Sequence, residues 1–156
     1  MTDNGIFVIN KSGEYELISE YSPTEILHCD CAFAGLKAIA IAQHGNMKAT
    51  EVSVFNKKFK ELYKLDFEAE IFSVKTSEKY LAVLFNDSIY MYDATGNNTG
   101  KVILDEKCTD AVFAGNTLFV LTVSGIYSFN VHGTYDLTAE IGEEAVTSAG
   151  ILDMET

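Results

Sequence analysis

The chain has 156 residues, of which 47% are hydrophobic, and eleven Lys and Arg against twenty-three Asp and Glu give it a net charge of −12. This size and apolar content predict one domain with a substantial core over residues 1–156. The acidity disfavours nucleic acid and anionic membrane surfaces as partners, and no apolar run approaches the roughly 18 residues that cross a bilayer.

The N-terminal sequence MTDNGIFVIN lacks the basic region and cleavage site of a signal peptide. With Met1 as the native start, we expect a cytoplasmic protein; if the chain is a piece of a longer protein, an extracytoplasmic location is the alternative. Cys29, Cys31 and Cys108 are an odd number at spacings that match no disulfide framework, which favours a reducing compartment.

The first half of the chain predicts short strands separated by turn residues. Residues 5–10 and 14–20 form a hairpin, which the only proline, Pro23, ends. Further strands are predicted at residues 26–34, 37–42, 51–56 and 60–67, with a long loop at residues 43–50.

The second half is more regular, with two units of four predicted strands each. The first unit has strands at residues 71–76, 80–85, 88–93 and 100–105. The second has strands at residues 109–114, 117–123, 125–130 and 134–140. A last strand is predicted near residues 144–149.

One motif, a run of β-branched or aromatic residues closed by Asn or Asp, occurs four times and defines a repeat. The copies end at Asn10, Asn56, Asp93 and Asn130, so the intervals are 46, 37 and 37 residues. Four short strands at such a period are typical of propeller blades. The second strands, such as LAVLF at 81–85, are apolar on both faces, as in a sheet that lies between two neighbours.

The order of strands also predicts how the ends of the chain meet. The N-terminal hairpin supplies two outer strands and the last segment supplies an inner one. Three full blades plus this composite blade give a four-bladed ring, within the usual 4–8. A fragment of a larger propeller and an eight-bladed homo-oligomer of two copies are the alternatives. Light scattering separates them, because a strictly monomeric particle excludes the joined ring.

The runs KYLAV at 79–83 and SIYMYD at 88–93 resemble the blade pattern of WD40-like β-propellers, and residues 117–121 with 124–130 are similar. The chain has no Trp and no Gly-His between successive units, so the defining WD40 hydrogen-bond motif is absent. The resemblance is nearest in style to uncharacterised propeller-repeat proteins of Gram-positive bacteria, where such blades form a larger extracytoplasmic domain. It implies a fold and carries no catalytic residue.

The densest group of metal-ligand residue types is His28-Cys29-Asp30-Cys31. In a strand, Cys29 and Cys31 share one face, whereas His28 and Asp30 point to the other. Repeat alignment puts Cys108 at the strand position of Cys29, two blades away, so a four-bladed ring would place the two thiols across its axis. Metal binding by Cys29 and Cys108 is one hypothesis; buried cysteine acting as a small apolar residue is the other.

The remaining chemically suggestive residues favour structural interpretations. The oxygen-rich stretch 93–100 has one carboxylate, where a calcium loop needs several, and is predicted to be a turn. His44 and His132 lie beside glycine in loops. Glu143 and Glu144 do not define a glycosidase pair without geometry.

Eight Tyr and ten Phe are mostly assigned to predicted strands, where packing between blades accounts for them. Tyr15, Tyr21, Tyr63 and Tyr135 lie in or near outer strands and predict an exposed aromatic patch.

We therefore expect a non-catalytic binding or scaffolding module for a protein or peptide partner, without cofactors or catalytic residues. The alternative is a ligand-sensing or hydrolytic propeller with a site at the mouth of the central channel, where Ser73, Lys75 and Asp110 would project.

Overall fold

The computed structural model describes residues 6–9, 11–20, 26–32, 35–42 and 48–140. Every regular element within these ranges is a β-strand, and no helix there is long and apolar enough to cross a membrane. The strands are β1 Ile6–Ile9, β2 Tyr15–Ser19, β3 Ile26–Cys31, β4 Lys37–Ala42, β5 Ala49–Phe55, β6 Glu61–Asp66, β7 Ser73–Thr76, β8 Tyr80–Leu84, β9 Ser88–Asp93, β10 Asn98–Ile103, β11 Asp110–Ala114, β12 Thr117–Leu121, β13 Gly125–Phe129 and β14 Tyr135–Glu140.

The strands form one hairpin and three sheets of four. β1 pairs with β2, and blade 1 (β3 to β6), blade 2 (β7 to β10) and blade 3 (β11 to β14) each pair antiparallel in chain order. The predicted all-β architecture of four-stranded antiparallel blades is confirmed. The last inner strand predicted near residues 144–149 lies outside the described residues.

The second strand of blade 2 is apolar on both faces because this blade packs against two neighbours. Leu81 and Val83 of β8 belong to a core shared with blade 1, whereas Ala82 and Leu84 belong to a core shared with blade 3. All four side chains are completely buried. Since successive side chains on a strand point in opposite directions, one strand supplies both cores.

The closing Asn or Asp of the repeat caps the turn from the third strand into the fourth. In each blade, its side-chain Oδ1 accepts a hydrogen bond from the backbone N–H two residues further on, as in an Asx turn. The three bonds, at 2.8–2.9 Å, run from Lys58 to Asn56, from Thr95 to Asp93 and from His132 to Asn130. Turn geometry therefore explains the most regular feature of the sequence.

The same turns require positive φ three residues after the closing residue. Glycine meets this requirement in blade 2 at Gly96 and in blade 3 at Gly133, but blade 1 has Phe59 with φ of 59°. A non-glycine residue in this conformation costs about 1–2 kcal/mol. The ammonium group of the buried Lys37 lies 5.0 Å from the centroid of the Phe59 ring. Phe59 thus makes a cation–π contact that glycine cannot make.

Blades 1 and 2 also meet through their backbones, at the turns that follow their inner strands. The Leu36 N–H donates to the Ser77 carbonyl at 3.0 Å. A Cβ added at Gly35 would lie 2.2 Å from the Glu78 Cα, so only glycine fits there.

Candidate binding cleft at the inner strands

The inner strands of the three blades lie side by side, with β3 contacting β7 and β7 contacting β11. Where they run into their following turns, they enclose a cleft of about 580 Å³. All three blades contribute to its walls. The cleft is lined by Asp30, Cys31, Ala32, Lys75, Thr76, Ser77, Glu78, Ala111, Val112, Phe113 and Gly115.

Thr76 joins blades 1 and 2 within the cleft. Its backbone N–H and its hydroxyl both donate to Asp30 Oδ2, at 2.5 and 3.0 Å, and its Oγ1 accepts the Ala32 N–H at 3.0 Å. The Asp30 carboxylate is therefore held in place by the neighbouring blade. A charge fixed in this way presents a defined acceptor to a ligand instead of a mobile one.

Lys75 joins blades 2 and 3 in a comparable way. Its Nζ lies 3.1 Å from Asp110 Oδ1, and the two side chains are 25% and 30% exposed. Of the three residues predicted at the channel mouth, Lys75 lines the cleft, whereas Ser73 and Asp110, at the starts of β7 and β11, are not among its lining residues. The cleft thus has a cationic and an anionic group, each with a partner from another blade.

The strand register does not place Cys108 at the position of Cys29. Strand pairing across the second and third strands aligns Asp30 in blade 1 with the residue two positions before the closing Asn of that blade. The same pairing aligns Val112 in blade 3 with the residue two positions before the closing Asn of blade 3. Cys29 is therefore equivalent to Ala111, and Cys108 lies three residues earlier. The predicted alignment of the two thiols is wrong. It failed because the inner strands share too little sequence to fix their register.

The environments of the proposed ligands also differ. Cys29 is exposed, whereas Cys108 is buried in the core between blades 2 and 3. Burial raises the pKa of the Cys108 thiol to about 12, so it stays protonated at neutral pH, and burial lowers the pKa of His28. Among the described residues, no three His, Cys, Asp or Glu side chains are grouped closely enough to hold a metal ion.

The stretch 93–100 contains a turn in which both carboxylate oxygens of Asp93 accept hydrogen bonds from the turn itself. Besides the capping bond, its Oδ1 accepts from the Thr95 hydroxyl at 2.7 Å and the Asn97 N–H at 3.0 Å, and its Oδ2 accepts the Asn97 amide at 3.0 Å. These bonds, first those from Thr95, hold the pKa of Asp93 well below its ordinary value. The predicted turn is therefore supported in preference to a calcium loop.

The exposed aromatic patch predicted for the outer strands is wrong at Tyr63. Its hydroxyl donates to the Asp93 carbonyl at 2.9 Å, and a Cβ at Gly96 would lie 3.2 Å from its ring, so Tyr63 packs against blade 2. Tyr15 is 73% exposed and stacks edge-on with Phe7. Tyr21 and the side chain of Tyr135 lie outside the described part of the chain.

Of the histidines and paired carboxylates singled out in the loops of the sequence, the structure describes His132, which is not among the residues that line the cleft. His132 is exposed in the turn that Asn130 caps. His44, Glu143 and Glu144 lie outside the described residues.

Two smaller pockets were not predicted from the sequence. The pocket between blades 1 and 2, of about 360 Å³, includes Glu68 and Tyr90, and the pocket between blades 2 and 3, of about 160 Å³, includes Asp105 and Tyr127. Asp105 follows Glu68 by 37 residues, and Tyr127 follows Tyr90 by the same interval. An acidic residue after the outer strand and a tyrosine in the third strand, repeating at 37 residues, form a signal that the sequence already contained.

Comparison with known proteins supports the fold and identifies no family or curated relative. No protein-family model and no curated protein sequence matches the chain. Among solved structures, an Hsv2 variant with loop 6CD replaced by a Gly-Ser linker is 15% identical, with a TM-score of 0.63 over 84% of this chain and 46% of that one. Hsv2 from Kluyveromyces marxianus is 11% identical, with a TM-score of 0.59 over 86% and 45%.

A third structure, of BBS1N in complex with ARL6DN, is 16% identical, with a TM-score of 0.55 over 82% of this chain and 44% of that one. The chain thus spans less than half the length of these three proteins. They are WD40-type β-propellers, so the blades of this chain are propeller blades.

Proposed function

We propose that residues 1–156 form a single repeat domain that acts as a non-catalytic binding or scaffolding module, with the cleft at the inner strands receiving a segment of a protein or peptide partner. The observation that carries the proposal is the convergence of three blades on one cleft of about 580 Å³. Propellers of the kind this chain resembles are typically protein-interaction scaffolds. The resemblance to Gram-positive bacterial repeat proteins stays a prediction.

The composition of the cleft suits a peptide. Val112 and Phe113 provide an apolar wall, and Asp30 and Lys75 provide charges of both signs at fixed positions. Recognition sites generally combine a mostly apolar surface with a few well-placed polar groups. BBS1N was crystallised in complex with ARL6DN, and a protein partner for this chain is proposed by analogy.

A displayed library of random peptides, selected on the purified 156-residue chain, tests the proposal. Selected peptides should bind the unaltered protein and lose affinity for Glu78→Lys, which reverses an exposed charge at the cleft. The matched control is Glu61→Lys, the same charge reversal at an exposed position of β6 outside the cleft. Equal binding to both variants contradicts the proposal, provided that both melt at the temperature of the unaltered protein.

A ligand-sensing or hydrolytic role at the same cleft is the second candidate, because about 580 Å³ lies within the range of roughly 300–1,000 Å³ for small-molecule sites. It predicts that a small polar compound raises the melting temperature of the unaltered protein but not of Glu78→Lys. Such a shift, together with no enriched peptide, would favour this second candidate.

A further inference from the structure

The two smaller pockets are the same site on successive blades. Subtracting 37 from six residues that line the pocket between blades 2 and 3 gives six that line the pocket between blades 1 and 2. The pairs are Ile103 with Asp66, Leu104 with Phe67, Asp105 with Glu68, Glu106 with Ala69, Thr122 with Phe85 and Tyr127 with Tyr90. A pocket that recurs with the repeat is a property of the fold and not a local packing defect.

These pockets lie apart from the cleft. Each pocket is formed by the segment that connects the outer strand of one blade to the next blade, and by the end of the second strand of that next blade. Phe67 and Phe85 hold these two positions in the pocket between blades 1 and 2. The cleft, in contrast, is lined by residues from the ends of the inner strands and the turns that follow them, such as Thr76 and Ser77. Neither pocket shares a lining residue with the cleft.

Both pockets combine carboxylates with aromatic rings. In the pocket between blades 1 and 2, the Phe67 and Phe85 rings pack edge to face at 5.2 Å, Phe85 meets Tyr90 at 5.5 Å, and Asp66 and Glu68 stand at the rim with exposed side chains. Carboxylates attract a cation, and aromatic faces hold one by its attraction to the ring. This pairing is the chemistry that recognises Lys or Arg side chains.

The pocket between blades 2 and 3 has the same character. Tyr127 and Phe129 line it beside Asp105 and Glu106. The Ser124 N–H donates to Glu106 Oε2 at 3.2 Å, and hydrogen bonds from Ser124 lower the pKa of Glu106, so its charge is retained.

The structure also contains a direct example of this recognition. The Lys101 ammonium lies 4.8 Å from the centroid of the Tyr90 ring, which shows that the ring accepts a cation. Lys101 is not among the residues that line the pocket.

We propose that the two pockets form one repeated docking surface for a basic, extended segment of a protein partner, with successive Lys or Arg side chains entering adjacent pockets. The net charge of −12 attracts such a segment from a distance. Packed sheets are about 10 Å apart, and an extended chain advances about 3.3 Å per residue, so side chains about three residues apart bridge neighbouring pockets. The proposal rests on the proposed binding function in naming the class of partner, although it uses a different surface.

Synthetic peptides test the proposal. The probes are neutral Gly-Ser peptides, blocked at both ends, that carry either one lysine or two lysines separated by one to four residues. Binding to the 156-residue chain is measured by fluorescence anisotropy at low and physiological salt. The best two-lysine peptide should bind at least about ten-fold more tightly than the one-lysine peptide, because the second contact is intramolecular.

Variants assign the binding to the pockets. Glu68→Gln and Asp105→Asn should each weaken the best two-lysine peptide about five-fold. Tyr127→Leu should weaken it further, whereas Tyr127→Phe, which keeps the ring, should not. Glu61→Gln makes the same charge change on exposed β6 outside both pockets and should have no effect.

Two results overturn the inference: equal affinity for one-lysine and two-lysine peptides, or pocket variants that bind like Glu61→Gln. If Glu78→Lys alone abolishes lysine-peptide binding, the segment occupies the cleft; the proposed function then stands and this inference falls. If lysine peptides bind through Glu68 and Asp105 while no library peptide binds the cleft, this inference stands and the assignment to the cleft falls.

Discussion

Cys108 should make the protein lose stability in mild alkali. The side chain is 5% exposed, and burial together with the charge of Asp110 raises the pKa of its thiol from 9.0 to about 12. In the unfolded chain, the thiol loses its proton near pH 9, whereas in the folded chain it keeps it. A raised pKa of this acid leaves stability constant below pH 9 and reduces it as the pH rises from about 9 to about 12.

The size of the effect follows from one proton per molecule. Each pH unit is worth about 1.4 kcal/mol, so Cys108 alone should lower the free energy of unfolding by about 1 kcal/mol at pH 10 and by about 3 kcal/mol at pH 11. Cys108→Ser removes this titration and keeps a donor for the Asp110 carbonyl, which the thiol contacts at 3.5 Å. Other titrating groups are common to both proteins and cancel in the difference.

The assay is urea unfolding of both proteins under reducing conditions at pH 8, 9, 10 and 11. Cys108→Ser should be less stable than the unaltered protein at pH 8, and the difference should shrink and then reverse as the pH rises. Two curves that stay parallel from pH 8 to pH 11 would refute the reasoning, because they would mean that the thiol titrates alike in the folded and unfolded chains.

Three further predictions concern packing and turns. Leu118→Ala should lower the free energy of unfolding by about 3 kcal/mol in urea, because the side chain is completely buried. Gly35→Ala should lower the free energy of unfolding by about 3 kcal/mol, because the added Cβ clashes with the next blade. Gly115→Ala should lower it by only about 1 kcal/mol, because Gly115 has positive φ but a Cβ there would meet nothing within 4 Å. Equal losses in the two variants would contradict the close contact at Gly35. Asp93→Ala should lower the melting temperature at pH 7, and the difference should narrow below pH 3.8 as the carboxylate is protonated, since hydrogen bonds from Thr95 lower its pKa.

The features predictable from the sequence were those that repeat within a strand or turn. Alternation and the closing Asn56, Asp93 and Asn130 gave the strands and blades, because the cap and the strand pairing are local interactions. The double-sided apolar strand at 81–85 correctly indicated a sheet between two neighbours.

Features that depend on contacts between blades were beyond such reasoning. Tyr63 has the pattern of an exposed outer-strand residue, but its hydroxyl meets a turn of the next blade, 30 residues away. The register of Cys108 depends on pairing with β12, which the composition of its own segment does not specify. Among the residues that line the cleft, Lys75 was predicted from its place on an inner strand. Its ion pair with Asp110 could not be predicted, because it depends on the relative position of two blades.

The two separate cores among the described residues have a consequence for how the three blades separate on unfolding. One core joins blades 1 and 2, the other joins blades 2 and 3, and blade 2 contributes different side chains to each. Among these three blades, cohesion is therefore transmitted from neighbour to neighbour, as in a repeat array whose stability is a sum of adjoining interfaces. Weakening one interface should let a single blade detach while the other pair stays folded, so partial opening in stages is built into this architecture.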